Sequence, residues 1–230
     1  GPSLVHPGQR AFGVVGRALG PTARLATVAV CAGALAGVLA ALACVGPWLS
    51  ARGRRWVEGG IIAVAATPLV AFAPLATWLL AVRWRVVPLP GDPQSGAAGL
   101  AFASCLLGLP LAAQVARIAR ATLLELATER FLDTARAKGA SEARVWMIHA
   151  LAPASGPILV VVATQLGALL GGAVVLERLF ERPGLGYVML NAYSSRDIPV
   201  LEAAVIASGL LFVIAQAGAE VHPRGNHGGF

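Results

Sequence analysis

Charge is what this sequence has least of. Only 13% of its 230 residues are Asp, Glu, Lys or Arg, about half the share that soluble domains usually carry. Acids are the scarcer sign, 11 against 18 bases, and Lys138 is the single lysine. Cys31, Cys44 and Cys105 all fall in apolar runs, with no CxxC and no His/Cys ligand spacing, so neither a disulfide framework nor a zinc site is read. His222 and His227 stand near the end of the chain, where an unstructured tail fits better than a metal site. The first 24 residues hold Arg10, Arg17 and Arg24 with no apolar core between them, which argues against a secretory signal peptide. The chain begins at Gly1 without Met; either Gly1-Pro2-Ser3 is a cleavage scar or the natural start lies elsewhere.

What the sequence has instead is length without charge. Hydrophobic residues make up 57% and the mean hydropathy is +0.74. Residues 25–49, 59–82, 95–116, 150–176 and 203–219 contain no Asp, Glu, Lys or Arg. A helix rises ~1.5 Å per residue, so roughly 20 residues cross a ~30 Å hydrocarbon layer. These runs predict an all-α polytopic membrane bundle with spans at about 25–49, 59–82, 95–116, 150–176 and 199–219. Residues 1–24 form an N-terminal segment and 220–230 a C-terminal tail. The net charge of +7 does not point to nucleic acid, because the bases sit at the ends of the runs and the aromatics are not interleaved with them.

The connections differ in character. Residues 50–58 read as a short loop holding Arg52, Arg54 and Arg55, and basic loops favour the cytoplasm. Residues 83–96, rich in Pro and Gly with Trp84 at the boundary, read as an exterior turn. Residues 177–199 mix charge, turn residues and a short apolar helix. With alternating spans, the Arg52–Arg55 loop and residues 125–149 share one face. Taking that face as cytoplasmic places the N-terminus outside.

Residues 125–149 are a charged island between apolar runs. Leu124, Ala127, Thr128, Phe131 and Ala135 fall at helical spacing as an apolar stripe. Lys138 lies in the last turn and Gly139 follows, where a left-handed residue costs a glycine little. Ser141 is placed to cap a second short helix, with Glu142 in its first turn. Val145, Trp146, Ile148 and Leu151 return the chain to apolar surface before Pro153 and the next span. A helix, a tight turn and a short helix along the cytoplasmic interface are predicted. An ordinary amphipathic loop is the plain alternative.

These residues carry a family resemblance. Thr134-Ala135-Arg136-Ala137-Lys138-Gly139-Ala140-Ser141-Glu142 with Arg144, Val145, His149, Ala150 and Leu151 resembles the EAA loop of binding-protein-dependent ABC importer permeases. The dipeptide/oligopeptide/nickel branch is the most similar. A second block runs from Gln165 through Gly171, Gly172, Glu177, Phe180, Pro183 and Gly184 to Gly186. It is similar to the outer-loop run of the B-type permease subunit, and Arg196-Asp197 with Pro199-Val200 continues it. The resemblance covers about residues 117–213.

The resemblance implies a bacterial inner-membrane permease, not an enzyme, that forms half of a translocation pathway for peptides. A nickel or metal-chelate importer is the alternative cargo. A second permease subunit, two ATPase subunits and an extracytoplasmic binding protein are the implied partners. Membrane lipid surrounds the chain, and no cofactor or metal is expected on it. The coupling positions carried over are Ala135, Gly139, Ala140, Ser141, Glu142 and Arg144; the outer-loop positions are Glu177, Phe180, Pro183, Gly184 and Gly186. Asp133-Thr134 departs from the Glu-Ala that names the loop, Ala152-Pro153-Ala154 departs from the branch, the final span looks shortened, and the family's usual first span is not evident.

Other motifs weigh less. Gly184-x-Gly186 lacks the preceding strand and the Lys of a phosphate loop. Gly33 with Gly37 and Gly167 with Gly171 share the GxxxG spacing that lets helices approach closely, within the subunit or against a partner. Pro110 predicts a kink. Gln114, Gln165 and Gln216 are the largest polar groups in the apolar runs and either line a pathway or bond between helices. A membrane-embedded enzyme needs acids, nucleophiles or ligands at depth, and the clear parts of the runs offer none of Asp, Glu, His or Lys. A passive channel would need no island.

Overall fold

The computed structural model describes residues 2–5, 8–92 and 95–221. Nine α-helices follow one another among them. They are α1 (Ala11–Val45), α2 (Ala51–Ala66), α3 (Leu69–Thr77), α4 (Gly96–Leu126), α5 (Arg130–Ala137), α6 (Glu142–Arg144), α7 (Leu151–Leu179), α8 (Leu185–Ser194) and α9 (Ile198–Val221). Wider π-type turns extend α3 over Trp78–Arg83 and join α6 to α7 over Val145–Ala150. The only β-type pairing among the described residues is an isolated bridge between Pro2 and Arg10. His222 and His227 lie outside the described residues.

The helix that holds the first expected span starts well before it. α1 begins at Ala11, not near residue 25, and runs for 35 residues. Nine of its eleven buried positions, Ala11, Val15, Ala18, Thr22, Leu25, Ala29, Gly33, Gly37 and Ala41, form an unbroken stripe at helical spacing, and Leu42 and Cys44 are buried beside its end. Arg17 and Arg24 lie off that stripe and are exposed, so their charge does not interrupt the packing face. Small residues on the stripe bring α1 against α4. A Cβ on Gly33 would stand 2.6 Å from the carbonyl oxygen of Gly108, and one on Gly37 would stand 2.6 Å from that of Ala112. This GxxxG pair therefore serves contact within the chain. The second pair divides: Gly167 meets the ring of Phe212 on α9, while Gly171 faces open space.

The second expected span is broken. α2 and α3 with its extension meet at 113°. Thr67 is extended at φ −98°, ψ 121°, as the residue before a proline prefers, and Pro68 has no N–H to continue the ladder. Nor is 50–58 a loop. Ser50 caps α2 by accepting from the Gly53 N–H at 3.3 Å, so Arg52, Arg54 and Arg55 are helical. Glu58 of α2 pairs with Arg120 of α4 at 2.8 Å, which puts the basic turn at the same end of the bundle as the island.

The remaining spans also outrun their charge-free cores. α4 continues through Arg117 and Arg120 to Leu126. The helix from Glu142 to Leu179 is continuous over 38 residues, so the short helix expected after Ser141 is fused to the next span. Three helices among the described residues are thus long and apolar enough to cross a membrane singly: α1, α4 and Glu142–Leu179. The bent pair adds a fourth, and the apolar run of α9, Ile198–Ile214, is shorter. The main core lies where α1, α4 and α7 meet, around Leu25, Leu107, Leu111, Leu123, Ala173 and Leu176.

Candidate functional site

At the island, the expected stripe from Leu124 to Ala135 does not lie on one helix. α4 ends at Leu126 and α5 starts at Arg130. The break rotates the register, so Leu132 is fully buried while Phe131 remains 43% exposed. At the glycine turn itself the expectation and the structure agree. Gly139 sits at φ +83°. Its N–H donates to the Arg136 carbonyl at 2.9 Å, and the Ala140 N–H donates to the Ala135 carbonyl at 3.1 Å. That pair of bonds is a Schellman closure, which satisfies the last carbonyls of α5 and requires the left-handed residue. Ala135 and Ala140 pack against the core. Ser141 accepts from the Arg144 N–H at 3.4 Å and caps the next helix.

Two residues outside the expected site set hold this turn. Arg136 donates to Glu142 at 2.8 Å and to Asp133 at 3.1 Å. Trp146, itself buried, donates its ring N–H to the other oxygen of Glu142 at 3.1 Å. The hydrogen bond to Glu142 raises the Arg136 guanidinium above its ordinary range. Glu142 is therefore committed within the island. Arg144, Lys138, Met147 and Ile148 are left exposed around the turn. The helical spacing of Glu142 and Trp146 was visible in sequence; the six-residue reach of Arg136 across the glycine turn was not.

At the opposite end, the outer-loop residues form a cradle around one carboxylate. Glu177, 1% exposed, accepts from the Thr22 hydroxyl at 2.6 Å, from the Gly186 N–H at 2.7 Å and from the Tyr187 N–H at 3.3 Å. Thr22 in turn accepts from the Leu185 N–H at 2.8 Å. The carboxylate and the hydroxyl thus satisfy the unpaired N–H groups at the start of α8. The glycines make room: a Cβ on Gly184 would lie 2.2 Å from the Glu177 carboxyl, and one on Gly186 would lie 2.4 Å from the Val174 Cα. Phe180 is buried edge-on against Phe102, ring centres 5.4 Å apart. Pro183 is exposed and makes no bond in this cradle. Thr22 was not among the expected residues, because 155 positions separate it from Glu177.

A second carboxylate finishes this corner. α8 closes with Arg196 at φ +56° and the Asp197 N–H on the Ala192 carbonyl at 2.8 Å. Asp197, 2% exposed, accepts from the Ser3 hydroxyl, from the N–H groups of Leu4 and Val5 at 3.2 Å each, and from Val200 at 3.4 Å. Burial works to raise this carboxyl, and the four hydrogen bonds outweigh it and hold the group below the usual carboxylate range.

Between the two ends lies a cleft of about 290 Å³ at the α2–α3 break. Thr67, Pro68 and Leu69 form one wall; Pro110, Leu111 and Gln114 of α4 and Gln165, Leu169 and Gly172 of α7 form the others. Gln114 and Gln165 thus share one cavity rather than bonding to each other. The side chain of Gln216 lies outside the described residues.

The described residues hold no group of three or more His, Cys, Asp or Glu able to bind a metal. Apolar helices of spanning length around an uncharged cleft define a polytopic membrane subunit. Residues 33–221 match the family of binding-protein-dependent transport system inner membrane components, and the chain belongs to that family. It is 33% identical over 189 residues to the glutathione transport system permease protein GsiC of Escherichia coli (strain K12), covering 81% of this chain and 58% of that one. The GsiC protein of Shigella boydii serotype 4 (strain Sb227) gives the same figures. The chain therefore spans 58% of the length of these curated relatives. Among solved structures it resembles an amino acid ABC transporter with histidines, at TM-score 0.67 and 17% identity over 92% of this chain and 94% of that one. It also resembles the MetNI methionine ABC transporter in inward-facing conformations, at TM-score 0.69 and 18% identity over 92% and 95%. The likeness is one of fold: that of ABC importer permeases.

Proposed function

We propose that this chain forms half of the translocation pathway of an ATP-driven importer of short peptides, and that its island couples the pathway to a separate ATPase subunit. The observation that carries the reading is the continuity of one helix. The glycine-closed turn is tied by Arg136 to Glu142, and from Glu142 the chain stays helical past Gln165 in the cleft to Glu177 at the far corner. A push on the turn is thereby delivered to the cleft, because a packed helix moves as a body. The coupling residues are Ala135, Gly139, Ala140, Ser141 and Arg144, with Glu142 holding the turn's shape. Exposed Phe131, Met147 and Ile148 beside the turn supply apolar surface for a groove on the ATPase. The corner built on Glu177, Phe180, Gly184 and Gly186, with Pro183 on its surface, faces the extracytoplasmic binding protein. A second permease subunit completes the pathway, and two ATPase subunits drive it.

The names of the relatives favour a peptide-like cargo, with glutathione among the candidates. The test is a mild-detergent purification of this chain co-expressed with its neighbouring genes, read by mass spectrometry. Recovery of an ATPase and a second permease supports the reading. Recovery of this chain alone, where a known importer stays assembled, overturns it.

A further inference from the structure

We propose that Gln114 and Gln165 are the groups in this chain that hold peptide cargo in transit, and that the site they form reads the peptide backbone but not cargo charge. The inference deepens the importer reading above and rests on it. Both side chains line the cleft at the α2–α3 break and are half-buried. Neither amide has a hydrogen-bond partner among the described residues, although each carries two donor hydrogens and an acceptor oxygen. Being half-buried, neither amide is among the fully buried polar atoms left without a partner, so both stay available to a molecule inside the cleft.

The third wall strengthens the assignment. At the break, Pro68 cannot donate to the last turn of α2, and Val64, Ala65 and Thr67 line the cleft there. Broken backbone at membrane depth is tolerated where it lines a cavity. The Thr67 hydroxyl is spent on the Ala63 carbonyl at 2.8 Å, which leaves the two glutamines as the side chains free to bond a passing molecule. All thirteen lining residues lack charge: none is Asp, Glu, Lys, Arg or His. A primary amide donates to a carbonyl or carboxylate and accepts from an N–H or ammonium equally well. A pair of them suits the alternating donors and acceptors of a peptide chain. With no fixed charge, the site has no means to favour an acidic peptide over a basic one and holds neither tightly, as transit requires.

The experiment uses the whole complex in proteoliposomes with its own binding protein, with dialanine, lysyl-alanine and glutathione as probes. In Q114L/Q165L, uptake of every probe the wild type carries falls about tenfold, the loss of two hydrogen bonds, while the ATPase still copurifies and hydrolyses ATP. In Gln165→Glu, uptake of glutathione falls relative to lysyl-alanine when compared with the wild-type ratio. Wild-type uptake by Q114L/Q165L, or an unchanged ratio in Gln165→Glu, overturns the site and leaves the importer reading standing. A wild-type complex that moves none of the three overturns both. If the double variant does not assemble, Gln165→Cys in a chain with Cys31, Cys44 and Cys105 replaced by Ala decides. Labelling by a water-soluble thiol reagent that the carried probe slows supports the site, and absence of labelling or of protection overturns it.

Discussion

The helix that runs from Glu142 to Leu179 carries a glutamate near each end, and the two are held in opposite ways. Glu142 keeps 45% of its side chain in contact with solvent and is matched by a cation, Arg136. Glu177 is 1% exposed and pairs with no cation among the described residues; a hydroxyl and the N–H groups of a helix start surround it instead. A surface ion pair contributes little to stability and is screened by salt, but it sets a shape and re-forms quickly after disturbance. A buried carboxylate with every neighbour aimed at it is hard to rearrange, because each group released is left unpaired in an apolar place. By this contrast the corner around Glu177 is held rigidly and the island is built to adapt. That is the division expected if the island docks and undocks while the corner stays put.

The largest effect should come from breaking the fixed end. Glu177→Ala leaves Thr22 and the N–H groups of Gly186 and Tyr187 without their acceptor and should cost about 3 kcal/mol. A lowered unfolding temperature of the purified chain in detergent checks it, and an unchanged temperature would break the contrast. Gly184→Ala is next. Its methyl group would press on the same carboxyl, at a cost of about 1–3 kcal/mol for overpacking, seen in the same assay.

Smaller effects sharpen the comparison. Asp197 belongs to the outer corner, and its carboxyl is held low by hydrogen bonds that outweigh burial. A depressed carboxylate contributes stability that is fully present above its ordinary value of ~3.9 and lost as pH falls through the lower folded value. Protection of the Leu4 and Val5 amides from hydrogen exchange, relative to the intrinsic rate at each pH, should therefore be full at neutral pH and fall only in acid below that ordinary value. In Asp197→Asn that protection should be lower at neutral pH and no longer change with acid. Arg136→Gln at the island should be the smallest in stability. It removes the contacts to Asp133 and Glu142 yet should leave the unfolding temperature nearly unchanged, while added salt should erode whatever difference remains. A fall as large as that of Glu177→Ala would mean the island is as rigid as the corner.

Much of this was legible in the residues, for definite reasons. The turn at Gly139 could be read because a Schellman closure is local: the signals Lys138, Gly139 and Ser141 are adjacent, and the bonds span only five residues. The membrane class was legible because apolar length needs no partner to be recognised. Long-range contacts were not. Thr22 looked like one hydroxyl in an apolar run, and only folding brings it to Glu177. The helix ends were hidden for a different reason. Charge-free length measures how much of a helix suits lipid, not how long the helix is, so Arg17, Arg24, Arg117 and Arg120 lie inside α1 and α4. The stripe of small residues from Ala11 to Ala41 was in the sequence throughout and would have placed the start of α1. The break at Thr67-Pro68 was also available, since proline disfavours helix in the residue before it. Only its 113° size needed the structure.

The coupling proposed for the Gly139 turn, that it transmits ATP-driven motion to the pathway, can be read as the number of ATP molecules hydrolysed per peptide imported, in proteoliposomes holding the wild-type, Gly139→Asn and Gly139→Val complexes. Asn tolerates the left-handed conformation and a β-branched residue does not. Asn should leave the ratio near the wild-type value. Val should raise it roughly tenfold, the effect of about 1.4 kcal/mol of strain on the docked turn. A valine complex that assembles normally and imports at the wild-type ratio would contradict the coupling role.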